Sequence, residues 1–135
     1  MTGLVLKLAP KERLLINGAI LENGEKRGRL SVLTPDVHIL RLRDAIHPDD
    51  AKTPVRRACY ALQLVLIGET DCDETRISLL PRVEELSRIL TDADSRRLLG
   101  QASEAILARQ FYKALKALRA LIPREDRLLA TKATK

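Results

Sequence analysis

The chain has 135 residues and a formal net charge of +6 at pH 7; 45% of its residues are apolar but only 2% are aromatic. This length allows one compact domain or two very small coupled ones, built on an aliphatic core. Two cysteines are too few for a disulfide framework, and we recognise neither a signal peptide nor a membrane-spanning apolar run, so we expect a cytoplasmic protein.

Residues 1–44 read as a strand-rich region. The strand candidates are Leu4–Leu8, Arg13–Ile16, Ala19–Glu22, Arg29–Leu33 and Val37–Arg41. The Asn-Gly pairs at 17–18 and 23–24 are typical of tight turns and predict consecutive hairpins, and Thr34–Asp36 predicts a further turn. This region is therefore expected to form a small antiparallel sheet or a barrel-like meander.

Residues 45–135 switch to helical spacing. Thr53 and Pro54 are typical of an N-cap and a first helical position, and Gly68 is typical of a helix end. Between them, apolar residues recur at helical spacing: Val55, Ala58, Cys59, Leu62, Val65 and Leu66. This pattern predicts the first helix.

Three more helical segments follow. One runs from about Asp73 to Leu90 with Pro81 inside it, which predicts a kink or two shorter helices. Another starts near Asp92 or Asp94, and the last carries one apolar stripe from Phe111 and is ended by Pro123. The predicted fold class is α+β: the N-terminal sheet followed by a bundle of about four helices, together one compact unit.

Signals of catalysis are weak. The chain has no glycine-rich phosphate loop, no nucleophile elbow and no His-Glu metal pair. His38 and His47 stand apart from other metal ligands, which favours a partly exposed strand residue and a helix-approach residue over a metal site. We therefore predict a protein that is not an enzyme and that uses no metal, cofactor or small-molecule substrate.

Charge is distributed in segments along the chain. Met1–Arg43 carries eight bases against four acids, Asp44–Ala108 eight bases against twelve acids, and Arg109–Lys135 eight bases against two acids. A basic, strand-rich platform on an acidic helical body favours a protein that holds a polyanion.

The cations of the strand region alternate with aliphatic residues, which would place charge on one sheet face. Such a face can follow phosphates, although a solvated outer face is an alternative interpretation. Arg56 and Arg57 add cations to a first helical turn, where the helix dipole disfavours them; pairing with Asp49 or Asp50 would be a simpler explanation. The candidate RNA contacts, taken from charge placement alone, are Lys7, Lys11, Arg13, Lys26, Arg27, Arg29, Arg41, Arg43, Arg56 and Arg57.

Three segments resemble one known family. They are LVLKLAPKERLLINGA at Leu4–Ala19, LRLRDAIHPDDAKTPVRRACY at Leu40–Tyr60 and FYKALKALRALIPRE at Phe111–Glu125. The first two are long and distinctive, whereas the third is a less specific amphipathic helix. Together they resemble, over the full length, the FlbT family of flagellin post-transcriptional regulators from alphaproteobacteria.

The resemblance implies a repressor that associates with the 5′ untranslated leader of flagellin mRNA, limits its translation and promotes its decay. It also implies FlaF, another flagellar regulator, as an antagonist or partner. An alternative is a protein-binding adaptor that affects RNA only through such a partner. A homo-oligomer is a further expectation, because a small sheet with exposed edges gains from pairing.

Overall fold

The computed structural model describes residues 4–34 and 37–133, so the predicted turn at Thr34–Asp36 lies partly outside the described residues. Within them the predicted α+β order is confirmed, with strands preceding helices. The strands are β1 (Leu4–Leu8), β2 (Arg13–Ile16), β3 (Ala19–Glu22), β4 (Gly28–Val32) and β5 (Ile39–Arg41).

The strands form two small antiparallel sheets. In the first, β1 pairs with β4; in the second, β2 lies between β3 and β5. Leu6 and Leu8 of β1 are buried, as are Ile39 and Leu40 of β5, and these residues join the core that the helices build. The alternation of buried and exposed residues along β1 leaves Lys7 on the outer face.

The first predicted hairpin is confirmed. Asn17 and Gly18 join β2 to β3, and both have positive φ, 49° and 84°. These are the left-handed conformations that a two-residue hairpin turn requires, and Asn and Gly adopt them at the lowest cost.

The second predicted hairpin, at Asn23-Gly24, is wrong, because β4 pairs with β1 and not with β3. The Asn23 side-chain amide donates to the carbonyls of Ala9 (2.8 Å) and Lys26 (2.9 Å). The Asn23 backbone N–H donates to Glu12, and the Lys11 N–H donates to Gly24. These bonds hold the chain beside the β1–β2 connection, so the segment after β3 continues to the other sheet.

The helices are α1 (Pro54–Leu66), α2 (Cys72–Ile89), α3 (Ala93–Leu107), α4 (Phe111–Arg119) and α5 (Ile122–Ala133). Short 3-10 turns at Leu42–Asp44 and Pro48–Asp50 connect β5 to α1. The prediction for α1 is confirmed: the Thr53 side chain accepts a hydrogen bond from the Arg56 N–H, and all six predicted apolar residues are buried. Gly68 follows the helix with φ 84°.

Pro81 and Pro123, two of the four prolines in residues 45–135, lie within helices α2 and α5. Helix α2 continues through Pro81 as one helix, so the alternative of two shorter helices is wrong. Pro123 lies in the first turn of α5, where its missing N–H has no intrahelical partner to lose. The described part of the chain therefore has five helices, where about four were expected.

A buried carboxylate fastens α5 to the start of α1. Glu125 is 5% exposed, and its Oε2 accepts a hydrogen bond of 2.8 Å from the Val55 N–H. Its Oε1 accepts another from the Thr53 hydroxyl. The carboxylate thus lies at the positive end of the α1 dipole and satisfies one of the free amide groups there.

Candidate nucleic-acid interface

An open cleft lies beside the first sheet. Its volume is about 640 Å³, and its lining residues are Lys7, Leu8, Ala9, Arg27, Gly28, Arg29 and Arg43. Four of these seven residues are cations and none is an acid. Low-dielectric walls that carry charge of one sign concentrate the field, so the cleft attracts anions.

The pairing of the first sheet puts two of the cations side by side. Lys7 on β1 and Arg29 on β4 are direct cross-strand partners, and both are exposed. Directly opposed residues have Cα atoms only about 4.5–5.5 Å apart, and like charges in this arrangement destabilise a sheet. Sheet stability therefore does not explain the Lys7–Arg29 pair, whereas an anion bound between them would.

The cleft cations are weakly neutralised. Within the described ranges, Lys7, Arg27 and Arg29 form no ion pair. The side chain of Arg43 is 57% exposed, and its Nε lies 3.8 Å from Glu12 Oε2 and 4.0 Å from Asp44 Oδ1. These long, exposed contacts leave Arg43 free to turn toward a ligand, since such pairs contribute little.

Arg41 does not lie on the exposed cationic face where the sequence placed it. It is 6% exposed, and its Nε and Nη2 donate to the two carboxylate oxygens of Glu12 at 2.6 and 2.7 Å. The prediction failed because β5 is buried on both faces, so alternation along this strand does not select an outer face. With its fork of donors occupied, Arg41 is not a candidate phosphate contact.

The Glu12–Arg41 pair also positions the cleft. Nη2 of Arg41 donates to the Lys7 carbonyl at 2.6 Å, which ties β1 of the first sheet to β5 of the second. The hydrogen bonds from Arg41 hold the pKa of Glu12 at about 2, against burial, which acts to raise it. The same pair raises the pKa of Arg41. Both groups therefore remain charged at neutral pH, and the two sheets stay joined beside Lys7.

Lys11 and Lys26 are exposed but do not line the cleft. Lys11 occupies the third position of a turn that the Glu12 N–H closes onto the Ala9 carbonyl at 3.1 Å, with Pro10 second. Its φ is 62°, in the left-handed region, where a turn of this kind favours glycine. A lysine there costs about 1 kcal/mol or more relative to glycine.

Replacing Lys11 with glycine should raise the stability of the chain. The relieved backbone should add about 1 kcal/mol to the free energy of unfolding, or roughly 3 °C in Tm. Lys11→Ala is the matched control, because it removes the same charge but keeps a side chain at the positive φ, and it should give no gain in Tm. Thermal melts of both variants check this prediction. An equal rise in Tm in the two variants would mean that the gain comes from the lost charge and not from the backbone.

The remaining candidates lie elsewhere. Arg13 pairs with Glu22 at 2.8 Å on the surface, and Arg57 is exposed and donates to the Lys52 carbonyl. Arg56 is held by two hydrogen bonds to Asp126, at 2.7 and 3.0 Å, and not by Asp49 or Asp50. The structure thus brings together four of the ten candidates, Lys7, Arg27, Arg29 and Arg43.

Sequence reasoning missed Glu12 as the partner of Arg41. The two residues are 29 positions apart, and no local pattern joins them. One signal was available: Glu12 is the one acid between β1 and β2 in a segment otherwise rich in cations.

The two histidines have structural roles. Nδ1 of His47 accepts the Asp49 N–H at 3.1 Å, while His38 Nε2 lies 3.8 Å from the Cys72 sulfur and its ring meets Phe111 edge-on. Burial raises the pKa of the Cys59 thiol to about 12, so this cysteine is an inert core residue. Among the described residues, no cluster of His, Cys, Asp and Glu could hold a metal. No described helix is both long and apolar enough to cross a membrane.

Comparison with known proteins gives a consistent result. The model of the family described as "Flagellar protein FlbT" matches residues 4–129. No solved structure gives a significant match. The curated relatives include the "Probable flagellum biosynthesis repressor protein FlbT" of Caulobacter sp. (strain K31), which is 32% identical over 93% of this chain and 95% of its own.

Two further relatives carry the same description. The "Flagellum biosynthesis repressor protein FlbT" of Caulobacter vibrioides (strain ATCC 19089 / CIP 103742 / CB 15) is 31% identical over 93% of this chain and 89% of its own length. The corresponding "Probable" protein of Chelativorans sp. (strain BNC1) is 32% identical over 93% and 85%. The chain therefore belongs to the FlbT family of flagellar proteins.

Proposed function

We propose that this chain represses flagellum biosynthesis after transcription, by binding the 5′ untranslated leader of flagellin mRNA in the basic cleft. The names of the curated relatives support a repressor role in flagellar regulation. The single observation that supports RNA binding is the cleft itself, where four cations meet without an acid in the lining. The cross-strand pair of Lys7 and Arg29 places two like charges opposite each other, which destabilises the sheet unless an anion is bound between them.

The few aromatic residues constrain how RNA would be recognised. Phe111 and Tyr112 are buried, and Tyr60 is half-buried on α1, so none offers a free ring at the cleft. Base stacking on ring faces, which most platforms for single strands use, is therefore missing from this site. Recognition would rest on phosphate charge, on leader shape and on arginine contacts to exposed base edges.

The proposed mechanism is stoichiometric. A leader held in the cleft would be less accessible to the ribosome, and the untranslated message would be exposed to cellular nucleases. The chain itself would cut nothing. Its effect would then follow the ratio of protein to message, as expected of a regulator that couples flagellin output to assembly.

A reporter gene translated from the flagellin leader tests this proposal in cells. In a strain that lacks the gene for this chain, reintroducing the wild-type chain should lower reporter output. Reintroducing the Arg27→Glu, Arg29→Glu variant at equal abundance should leave output at the unrepressed level. Arg82→Glu with Arg96→Glu is the control, because both residues are exposed on helices away from the cleft and the net charge changes equally. Full repression by the cleft variant would contradict the proposal.

A further inference from the structure

A second concave surface lies in the helical region, between α3 and α4. This groove has a volume of about 640 Å³. Its floor is apolar and made mostly of small side chains: Leu98, Ala105, Ala108, Ala117 and Ala120. None of its lining residues belongs to the basic cleft. A floor of alanines allows the backbone of another helix to approach closely, at the short end of the usual 8–10 Å between packed axes.

The two banks of the groove carry opposite charge. Lys113 and Lys116 stand on the α4 bank, and Glu104 stands on the α3 bank. All three are exposed, and none forms an ion pair with another described residue. These three are the charged side chains that line the groove, and an occupant of the groove would meet them without a competing ion-pair partner in the described part of the chain.

The α4 end of the groove is positive for a second reason. Gln110, which lines the groove, is the N-cap of this nine-residue helix, but its side chain makes no capping hydrogen bond. Within the described residues, the N–H groups of Phe111, Tyr112 and Lys113 donate to no backbone or side-chain acceptor. The first turn also contains no acid. An uncapped helix start with a lysine in its first turn favours a carboxylate from outside.

We infer that the α3–α4 groove binds an amphipathic helix of a partner protein. The apolar side of this helix packs on the alanine floor, and its flank toward α4 is acidic. Its carboxylates pair with Lys113 and Lys116, and one of them accepts from the free amides at the α4 start. RNA is a poorer occupant, because most of the floor is apolar and Glu104 repels phosphates. The inference is independent of RNA binding in the cleft.

Two fluorescein-labelled helical peptides of 18 residues test this inference with the full-length protein. Both carry leucine and alanine on one face; one has glutamates along the flank, and the other has lysines in the same positions. In anisotropy titrations at 0.1 M salt, the acidic peptide should bind at least tenfold more tightly. Lys113→Glu with Lys116→Glu should reverse this preference, and Arg82→Glu with Arg96→Glu should leave it unchanged.

Several results would overturn the inference. Equal binding of the two peptides, no binding of either, or an unchanged preference in the Lys113→Glu, Lys116→Glu variant would each do so. Displacement of the bound acidic peptide by an RNA oligonucleotide, in a variant whose basic cleft is reversed, would assign the groove to RNA. A change in the sedimentation of the protein alone on reversing the two lysines would assign it to a second copy of the chain.

Discussion

The Arg27→Glu, Arg29→Glu variant should lose about fifty-fold or more of its affinity for flagellin leader RNA at 0.1 M salt. Each cation that contacts a phosphate contributes through the counterions it releases, and this is worth roughly five-fold at this salt concentration. Reversal also places two carboxylates opposite the RNA backbone. Because two phosphate contacts disappear, the slope of log Kobs against log salt should become shallower by about 1.5.

A matched variant distinguishes the effect of where the charges lie from the effect of the overall net charge. Arg82→Glu with Arg96→Glu makes the same change in net charge on exposed helix surfaces. It should weaken binding only slightly, through the long-range field, and leave the salt slope almost unchanged. Equal losses in the two variants would mean that general attraction, and not the cleft, binds the RNA.

The second large effect concerns stability. Glu12→Ala should lower the free energy of unfolding by about 3 kcal/mol, because it leaves the Arg41 guanidinium buried without its counter-charge. The side chains of this pair are only 5% and 8% exposed. For a chain of this length, the loss corresponds to roughly 10 °C in Tm. Chemical denaturation followed by circular dichroism measures it.

A surface pair supplies the comparison. Arg13 and Glu22 are 2.8 Å apart, almost as close as the buried pair, but their side chains are 63% and 44% exposed. Glu22→Ala should therefore change stability very little. Glu12→Leu with Arg41→Leu should regain most of what Glu12→Ala loses, since no unpaired charge stays buried. If Glu12→Ala is as mild as Glu22→Ala, the pair does not join the two sheets.

The pH dependence has a definite sign. The pKa of Glu12 is lowered in the folded chain from 4.5 to about 2, chiefly by the hydrogen bonds from Arg41. Its contribution is therefore complete above about pH 4.5 and is lost as the pH falls toward 2. The wild type should therefore lose stability relative to the Glu12→Leu, Arg41→Leu variant as the pH falls through that interval. Comparing these two chains separates the effect of this pair from that of the other carboxylates with lowered pKa values, because both chains contain those carboxylates.

Local sequence patterns were sufficient to predict much of the helical region. Helix α1 could be predicted because Thr53, Pro54 and Gly68 mark its ends by backbone chemistry that depends on a few neighbouring residues. The spacing of the six apolar residues between them places all six on one face of a helix. The Asn17-Gly18 hairpin could be predicted for the same reason.

Features that depend on distant residues could not be predicted. The Asn23-Gly24 segment has the composition of a hairpin, but bonds from Asn23 to Ala9 and Lys26 direct it elsewhere. The sequence prediction placed Arg41 on an outer face, because it assumed that alternate residues of β5 point to a buried side and to an exposed side. Its burial depends on the pairing of β2 with β5 and on Glu12, which no periodicity reveals.

The candidate site shows the same division. Composition and charge segments identified the basic N-terminal region, but they did not distinguish the cleft cations from those already paired. Arg13 and Arg56 have acidic partners that lie 9 and 70 positions away. Lys7 and Arg29 became neighbours through the β1–β4 pairing, which the predicted order of hairpins did not include.

The central claim, that the cleft binds the flagellin leader directly, is tested most directly by titrating the purified wild-type chain with that leader. A scrambled RNA of equal length is titrated in parallel, and both titrations are repeated at several salt concentrations. We expect tighter binding to the leader, with log Kobs falling with log salt at a slope of about −3 for four cations. Equal, weak binding to both RNAs would contradict the claim and would mean that a partner protein supplies the recognition.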